Sequence, residues 1–134
     1  MVFYFAKCIT IVSKEKKVYM PQSSSKSLVS KPWGSYQDYY RSENCVFKII
    51  NVRAGEEISY QLHNDRDEFW YVLEGQGKFN IDGEVEEIGK YDACYISANT
   101  PHQVTAITDM VIAETQIGVC SESDIVRLND KYNR

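Results

Sequence analysis

The chain holds only two histidines, His63 and His102. His63 lies in the run Gln61-Leu62-His63-Asn64-Asp65-Arg66-Asp67-Glu68, and His102 directly follows Pro101. Gln61 and His63 are two positions apart, so in an extended strand their side chains leave the same face. Glu68 opens the apolar run EFWYVLE, where an unpaired carboxylate is costly to bury and a metal ion removes that cost. One or two imidazoles with a carboxylate and an amide oxygen form a mixed nitrogen and oxygen donor set, suited to zinc, manganese, iron, cobalt or nickel. A single histidine is more often an ordinary hydrogen-bonded residue; the joint placement of both with Gln61 and Glu68 is what points to metal. Lys48 shares a strand face with Val46, Ile50 and Val52, so its amine must meet water, a carboxylate or a bound anion. Arg66 and Arg127 are further cations whose bland roles are pairing with Asp65 or Asp67 and solvation at the surface.

The elements that must position these residues are short. From Cys45 onward β-branched and aromatic runs alternate with turn signals: VFKIINV, ISYQLH, EFWYVLE, KFNI, EVEEI, ACYIS, HQVTAI and MVIAETQI. Eight such runs at close spacing predict an antiparallel sandwich or barrel. Asp82-Gly83 between KFNI and EVEEI suits a two-residue hairpin, whose central positions require positive φ. In ISYQLH the residues Ile58, Tyr60 and Leu62 share one face, expected to be apolar and outward, and Ser59, Gln61 and His63 share the other. After Ser121 the stretch SESDIVRLNDKYNR carries a capping residue, Asp124 three positions on, then Ile125 and Leu128, which predicts a short C-terminal helix or turn. Residues 1–30 form an N-terminal extension: the apolar run MVFYFAKCITIV, a possible extra strand, then a polar Ser-rich linker with Pro21.

The 134 residues match one domain, and 43% hydrophobic against 25% charged residues is a globular balance. A net charge of -4 leaves no basic footprint, which argues against nucleic acid as a partner. The N-terminal apolar run is interrupted by Lys7 and is too short for the roughly 20 residues of a membrane span. Cys8, Cys45, Cys94 and Cys120 are scattered and form no CxxC pair, so free thiols and a cytoplasmic location are expected.

Gly55, five residues, Gln61-x-His63, four residues, Glu68, six residues and Gly75 resembles the first half of the two-part cupin signature, with Gln in the first histidine slot. His102 matches the second half. The run Gln61 to Trp70 resembles the Q-x-H-x-x-R-x-E-x-W pattern in the cupin domain of type II phosphomannose isomerases. KPWGSY (Lys31 to Tyr36), Lys48 and DIVRLNDKYNR resemble three further segments of that domain, so the likeness covers Lys31 to Arg134. It implies an all-β cupin domain over residues 31–134, a double-stranded β-helix or jelly-roll barrel. It also implies one divalent metal ion, zinc first and manganese, cobalt, nickel or iron next, on Gln61, His63, Glu68 and His102.

The implied activity is isomerisation of a hexose phosphate, mannose 6-phosphate to fructose 6-phosphate, through an enediol. Lys48 and Arg127 are then the candidates for the proton step and phosphate contact, and Arg66 and Lys31 for substrate binding. Some positions depart from the pattern: Asn64 and Asp65 stand where the family often has histidines, Phe69 replaces a frequent histidine, Ser97 a proline and Asn99 a glycine. Asn tolerates the left-handed conformation, and Phe69 falls on the face opposite Glu68. A non-catalytic metal-containing sugar-binding or regulatory cupin is the alternative, with a cupin dioxygenase behind it. The nucleotidyltransferase domain often fused to such cupins has no counterpart in these residues, so nucleotide-sugar synthesis is not expected of them. Apolar outer faces and the N-terminal run suggest a homodimer.

Overall fold

A computed structural model describes residues 28–134, and the expected N-terminal strand, its linker and Cys8 lie outside the described residues. The strands in chain order are β1 (Val29–Lys31), β2 (Gly34–Arg41), β3 (Cys45–Val52), β4 (Tyr60–Leu62), β5 (Arg66–Glu74) and β6 (Gly77–Ile81). They continue as β7 (Glu84–Ile88), β8 (Ala93–Ile96), β9 (His102–Ala106), β10 (Met110–Gly118) and β11 (Val126–Asn129). All pair antiparallel in two sheets, one ordered β1-β2-β3-β10-β5-β8 and the other β11-β4-β9-β6-β7.

The core forms where the apolar inner faces meet. Ile50, Val52, Trp70, Val72, Ile96, Met110 and Ile112 of the larger sheet pack with Phe79, Val104 and Ala106 of the smaller. The rings of Trp70 and Phe79 join the layers edge to face, 5.3 Å between centroids. The Asp82-Gly83 hairpin takes the expected form, both residues at positive φ (52° and 88°), and joins β6 to β7 with Ile81 opposite Glu84.

Two parts of the expected fold are corrected. The all-β, cupin-like character holds, but the two sheets do not close into a barrel. Closure needs paired edges, and β7 at one edge exposes Glu84, Val85, Glu86 and Glu87, a charged border that resists a further strand. The C-terminal helix is also absent, and among the described residues there is no helix at all. Val126–Asn129 is instead the edge strand β11, Val126 opposite Leu62 and Arg127 opposite Gln61. An isolated helix of one or two turns is marginal in water, whereas pairing satisfies the backbone edge of β4. Ile58 differs as well: it precedes β4, is buried in the core cluster, and its neighbour Ser59 is buried too. The burial alternation expected through ISYQLH is therefore not seen, and Tyr60, Gln61 and Leu62 of β4 are all half-buried.

Gly75 shows why the glycine spacing matters. It has φ +88°, and an added Cβ would lie 2.1 Å from the Asp109 carbonyl oxygen. Gly75→Ala should destabilise the domain by roughly 1–3 kcal/mol from the backbone conformation alone. The check is its thermal midpoint, and a midpoint equal to that of the wild type would contradict the assignment.

Candidate metal centre

Alternation along β5 turns Glu68, Trp70 and Val72 inward, and Glu68 ends up 1% exposed. Its carboxylate meets both histidines: Oε1 is 3.1 Å from His63 Nε2 and Oε2 is 3.3 Å from His102 Nε2. His63 stands in the loop between β4 and β5, and His102 opens β9 opposite Gln61. One ligand atom from each of His63, Glu68 and His102 falls within 4.8 Å of the others, and all three residues are buried.

Whether this cluster fits a divalent ion turns on which ring nitrogens are available. His63 Nδ1 lies 2.6 Å from the Asp124 carbonyl and His102 Nδ1 lies 2.8 Å from the Thr100 carbonyl. A carbonyl accepts only, so each Nδ1 carries the proton and donates it, the tautomer that presents Nε2 as a ligand. His102 Nε2 is buried, and its approach to Glu68 is not aligned as a hydrogen bond, which leaves it without a partner. Two donors, Arg66 Nη2 at 3.2 Å and Gln61 Nε2 at 3.4 Å, point at His63 Nε2, as a lone pair there requires. Two imidazoles in the ligating tautomer and a carboxylate are a donor set that fits zinc or another divalent first-row ion.

The charges around the cluster are balanced by neighbours. Burial pushes the Glu68 carboxyl up, but its close contacts with the rings of His102 and His63 win, holding it well below its usual range. Burial works against the His102 cation, and its contact with Glu68 reverses this and raises it. Arg66 also serves Glu68, through Nε to Oε1 at 3.0 Å, and its Nη1 donates to the Ser121 carbonyl at 2.8 Å. Trp70 Nε1 bridges Glu68 Oε2 at 3.2 Å and Glu114 Oε2 at 3.0 Å.

A second polar layer comes from β10 and β3. Cross-strand register sets Gln116 opposite Glu68, and Glu114 between Trp70 and Lys48. Burial raises the Glu114 carboxyl first, the charge of Glu68 second. Lys48 is enclosed by carboxylates, Glu122 at 3.3 Å, Asp38 at 3.8 Å and Glu114 at 3.9 Å, with its amine 4.5 Å from the centre of the Tyr36 ring. Burial disfavours that ammonium, but the carboxylates prevail and its pKa is raised. Burial and then Glu68's charge push the Cys94 thiol to about 12.

These groups open on a cavity of about 240 Å³. Lys31, Lys48, Gln61, His63, Arg66, Glu68 and Arg127 all line it, whereas His102, the third member of the cluster, is not part of the lining. Gln61 stands beside the cluster with its amide nitrogen toward His63, because its oxygen accepts from Ser59 Oγ at 2.5 Å. Phe69 faces outward and is half-exposed, away from the cavity. Glu114, Gln116, Glu122 and Arg134 also line the cavity and went unread in the sequence. The signal for the first two was present: along β10 Met110, Ile112, Glu114 and Gln116 share a face that turns from apolar to polar, while the opposite face stays largely apolar.

A cupin-like all-β sandwich with a two-histidine, one-glutamate metal cluster is thus the class of protein defined here. The chain belongs to the mannose-6-phosphate isomerase C-terminal family, whose sequence profile matches residues 9–130. It is 33% identical over 109 residues to the mannose-1-phosphate guanylyltransferase ManC of Salmonella typhimurium, covering 79% of this chain and 23% of that protein. The chain therefore spans about a quarter of the length of the curated relatives it matches. Among solved structures, oxalate decarboxylase from Bacillus subtilis superposes with a TM-score of 0.69 at 18% identity, over 79% of this chain and 30% of that one. A variant of Streptomyces PAC13 with uridine gives 0.68 at 18% identity, over 77% and 84%. At that identity the two structures attest the fold alone.

Two predictions arise from the closing segment. The Asp124 carboxylate, expected to serve a helix, accepts from the backbone amides of Asn64 at 2.8 Å and Asp65 at 2.9 Å, and so sets the carbonyl that holds His63. Asp124→Ala should weaken metal affinity roughly 10- to 100-fold, as loss of an outer support does; competition with a chromogenic chelator would detect it, and unchanged affinity would refute the link. Hydrogen bonds from Arg134 hold the Asp130 carboxyl at about 2, below its ordinary 3.8. The clamp then stabilises fully above about pH 4 and is lost as pH falls through about 2. The thermal midpoint of Arg134→Ala should lie below wild type at pH 7 and converge with it near pH 2, and a gap that persists there would contradict the assignment.

Proposed function

We propose that this domain is a metal-dependent aldose-ketose isomerase acting on a hexose phosphate, most directly mannose 6-phosphate to fructose 6-phosphate. The observation that carries the reading is the joint opening of His63 and Glu68 of the ligand cluster and five cations, Lys31, Lys48, Arg66, Arg127 and Arg134, onto one small cavity. Family membership supports it, and so does the guanylyltransferase name of relatives that act on mannose 1-phosphate. His63, Glu68 and His102 would hold the ion, and a half-turn of the Gln61 amide would add its oxygen as a fourth ligand. A bound divalent ion would act as a Lewis acid on the oxygens of the reacting carbons.

The chain's own residues supply the rest. Lys31 and Arg127 attract the phosphate. Arg66 neutralises Glu68 and limits the charge that the ion must balance. Lys48, kept protonated by three carboxylates, returns the proton to the enediol as a donor, and the ionised Glu122 carboxylate 3.3 Å away on the same cavity wall is the group that takes the first proton from the sugar carbon. Trp33 closes one wall. A homodimer remains part of the reading, supported by the exposed aromatics Tyr40, Phe47, Phe69 and Tyr95, which lie in one register row on the outer face of the larger sheet. A cytoplasmic setting is supported by the free thiols of Cys45, Cys94 and Cys120.

The caging of Lys48 also favours a second reading, a non-catalytic sugar-phosphate-binding domain. Phe69 does not add to it, since its side chain is remote from the cluster. The protein loaded with about one divalent ion per chain should convert mannose 6-phosphate in a coupled assay. His63→Ala should lose both ion and turnover, and Lys48→Met should keep the ion and lose about 100-fold or more in rate. Metal-loaded protein that turns over no hexose phosphate would sink the isomerase and leave the binding domain.

A further inference from the structure

Gln116 is 1% exposed and lines the cavity, yet its Oε1 has no hydrogen-bond partner. The orientation of its amide is set on the other side, where Nε2 donates to Glu114 Oε1 at 2.6 Å. Glu114 is held in turn, because Oε2 takes the indole N–H of Trp70. A buried carbonyl oxygen left without a donor costs about 1–3 kcal/mol; Oε1 is closed to water as the side chains stand, so a ligand donor gains this contact by displacing a neighbouring cavity side chain. Register sets Gln116 directly opposite Glu68, so that donor would sit beside the metal cluster.

The surrounding charges narrow the class of donor. Five cations line the cavity against Glu68, Glu114 and Glu122, so an ammonium is repelled and an anion is drawn in. Lys31 and Arg127 have no carboxylate partner within ion-pair distance among the described residues. A neutral hydroxyl carried by an anionic molecule satisfies both demands. We infer that Gln116 Oε1, fixed by Glu114, is a hydroxyl-accepting subsite for a polyhydroxylated anion whose charge rests on the rim cations. This inference deepens the sugar-phosphate reading and rests on it for the class of ligand, while the acceptor itself is a binding property independent of turnover.

Calorimetric titration of the metal-loaded full chain tests it, with D-mannose 6-phosphate and D-gluconate as hydroxylated anions and inorganic phosphate and ethyl phosphate as anions without a sugar's hydroxyls. The wild type should bind at least one hydroxylated anion more tightly than either simple phosphate, and the arm that binds says whether phosphate or carboxylate is preferred. Gln116→Met and Gln116→Leu should each weaken that anion about tenfold, the scale of one hydrogen bond, with metal content, thermal midpoint and affinity for inorganic phosphate unchanged. Variants that bind as wild type, or that lose inorganic phosphate in equal measure, would overturn the subsite, because Oε1 would then be a packed, unpartnered atom only. If both variants fail to fold, the wild-type comparison decides alone: equal affinity for mannose 6-phosphate, gluconate and ethyl phosphate overturns the proposal. Tight hydroxylated-anion binding without turnover would remove the isomerase and keep the subsite; turnover with unchanged affinity in both variants would do the reverse.

Discussion

Glu68 is an ionised carboxylate set into the inner face of a sheet, and taking such a group out of water costs several kcal/mol unless its partners are excellent. The domain supplies those partners from every direction. His63 arrives from the loop after β4, His102 from the start of β9, Arg66 from two positions earlier on β5, and the Trp70 indole from two positions later. Each is positioned by something else: the histidines by backbone carbonyls at Asp124 and Thr100, Arg66 by the carbonyl of Ser121. Removing the carboxylate would leave several buried donors facing one another, so the same interaction that organises the site also constrains the fold around it.

The closing segment is drawn into this arrangement. Residues 119–134 run across the cavity mouth, tied to the body by Arg41 to the Cys120 carbonyl and Glu122, Lys48 to Glu122, Asp124 to the turn at Asn64 and Asp65, and Tyr132 to Glu56. These bonds are polar and several are exposed, so each contributes little alone. Together they deliver Arg127 and Arg134 to the cavity and hold β11 against β4. Packing of the two sheets gives the rigid floor, and this strap gives the charged rim.

Much of this was legible in the sequence because period-two alternation is a direct consequence of strand geometry. The eight runs read from Cys45 onward correspond to strands, and of the four expected ligands His63, Glu68 and His102 come together while the Gln61 oxygen is turned to Ser59. What escaped has physical reasons. β2 carries Tyr36 and Asp38 in place of apolar residues at its inward positions, because Tyr36 lines the cavity and Asp38 faces Lys48, and an irregularity after Asp38 turns Tyr40 to the outer face. β11 is exposed along its whole length, so no hydrophobic pattern marks it, and its pairing is dictated by the edge of β4. Asp124 has the type and spacing of a helix cap, yet its carboxylate caps a loop 60 residues away in sequence. Whether two sheets close into a barrel depends on edge pairing between distant strands, which local periodicity does not encode.

His63, Glu68 and His102 would hold one ion together, through the Nε2 atoms of both rings. X-ray absorption at the metal edge of the zinc-loaded protein addresses it most directly, because imidazole ligation has a multiple-scattering signature distinct from that of oxygen or sulfur donors. Two imidazole nitrogens are expected, with oxygen filling the remaining positions. A shell with fewer than two imidazoles, or one containing sulfur from Cys45, Cys94 or Cys120, would contradict it.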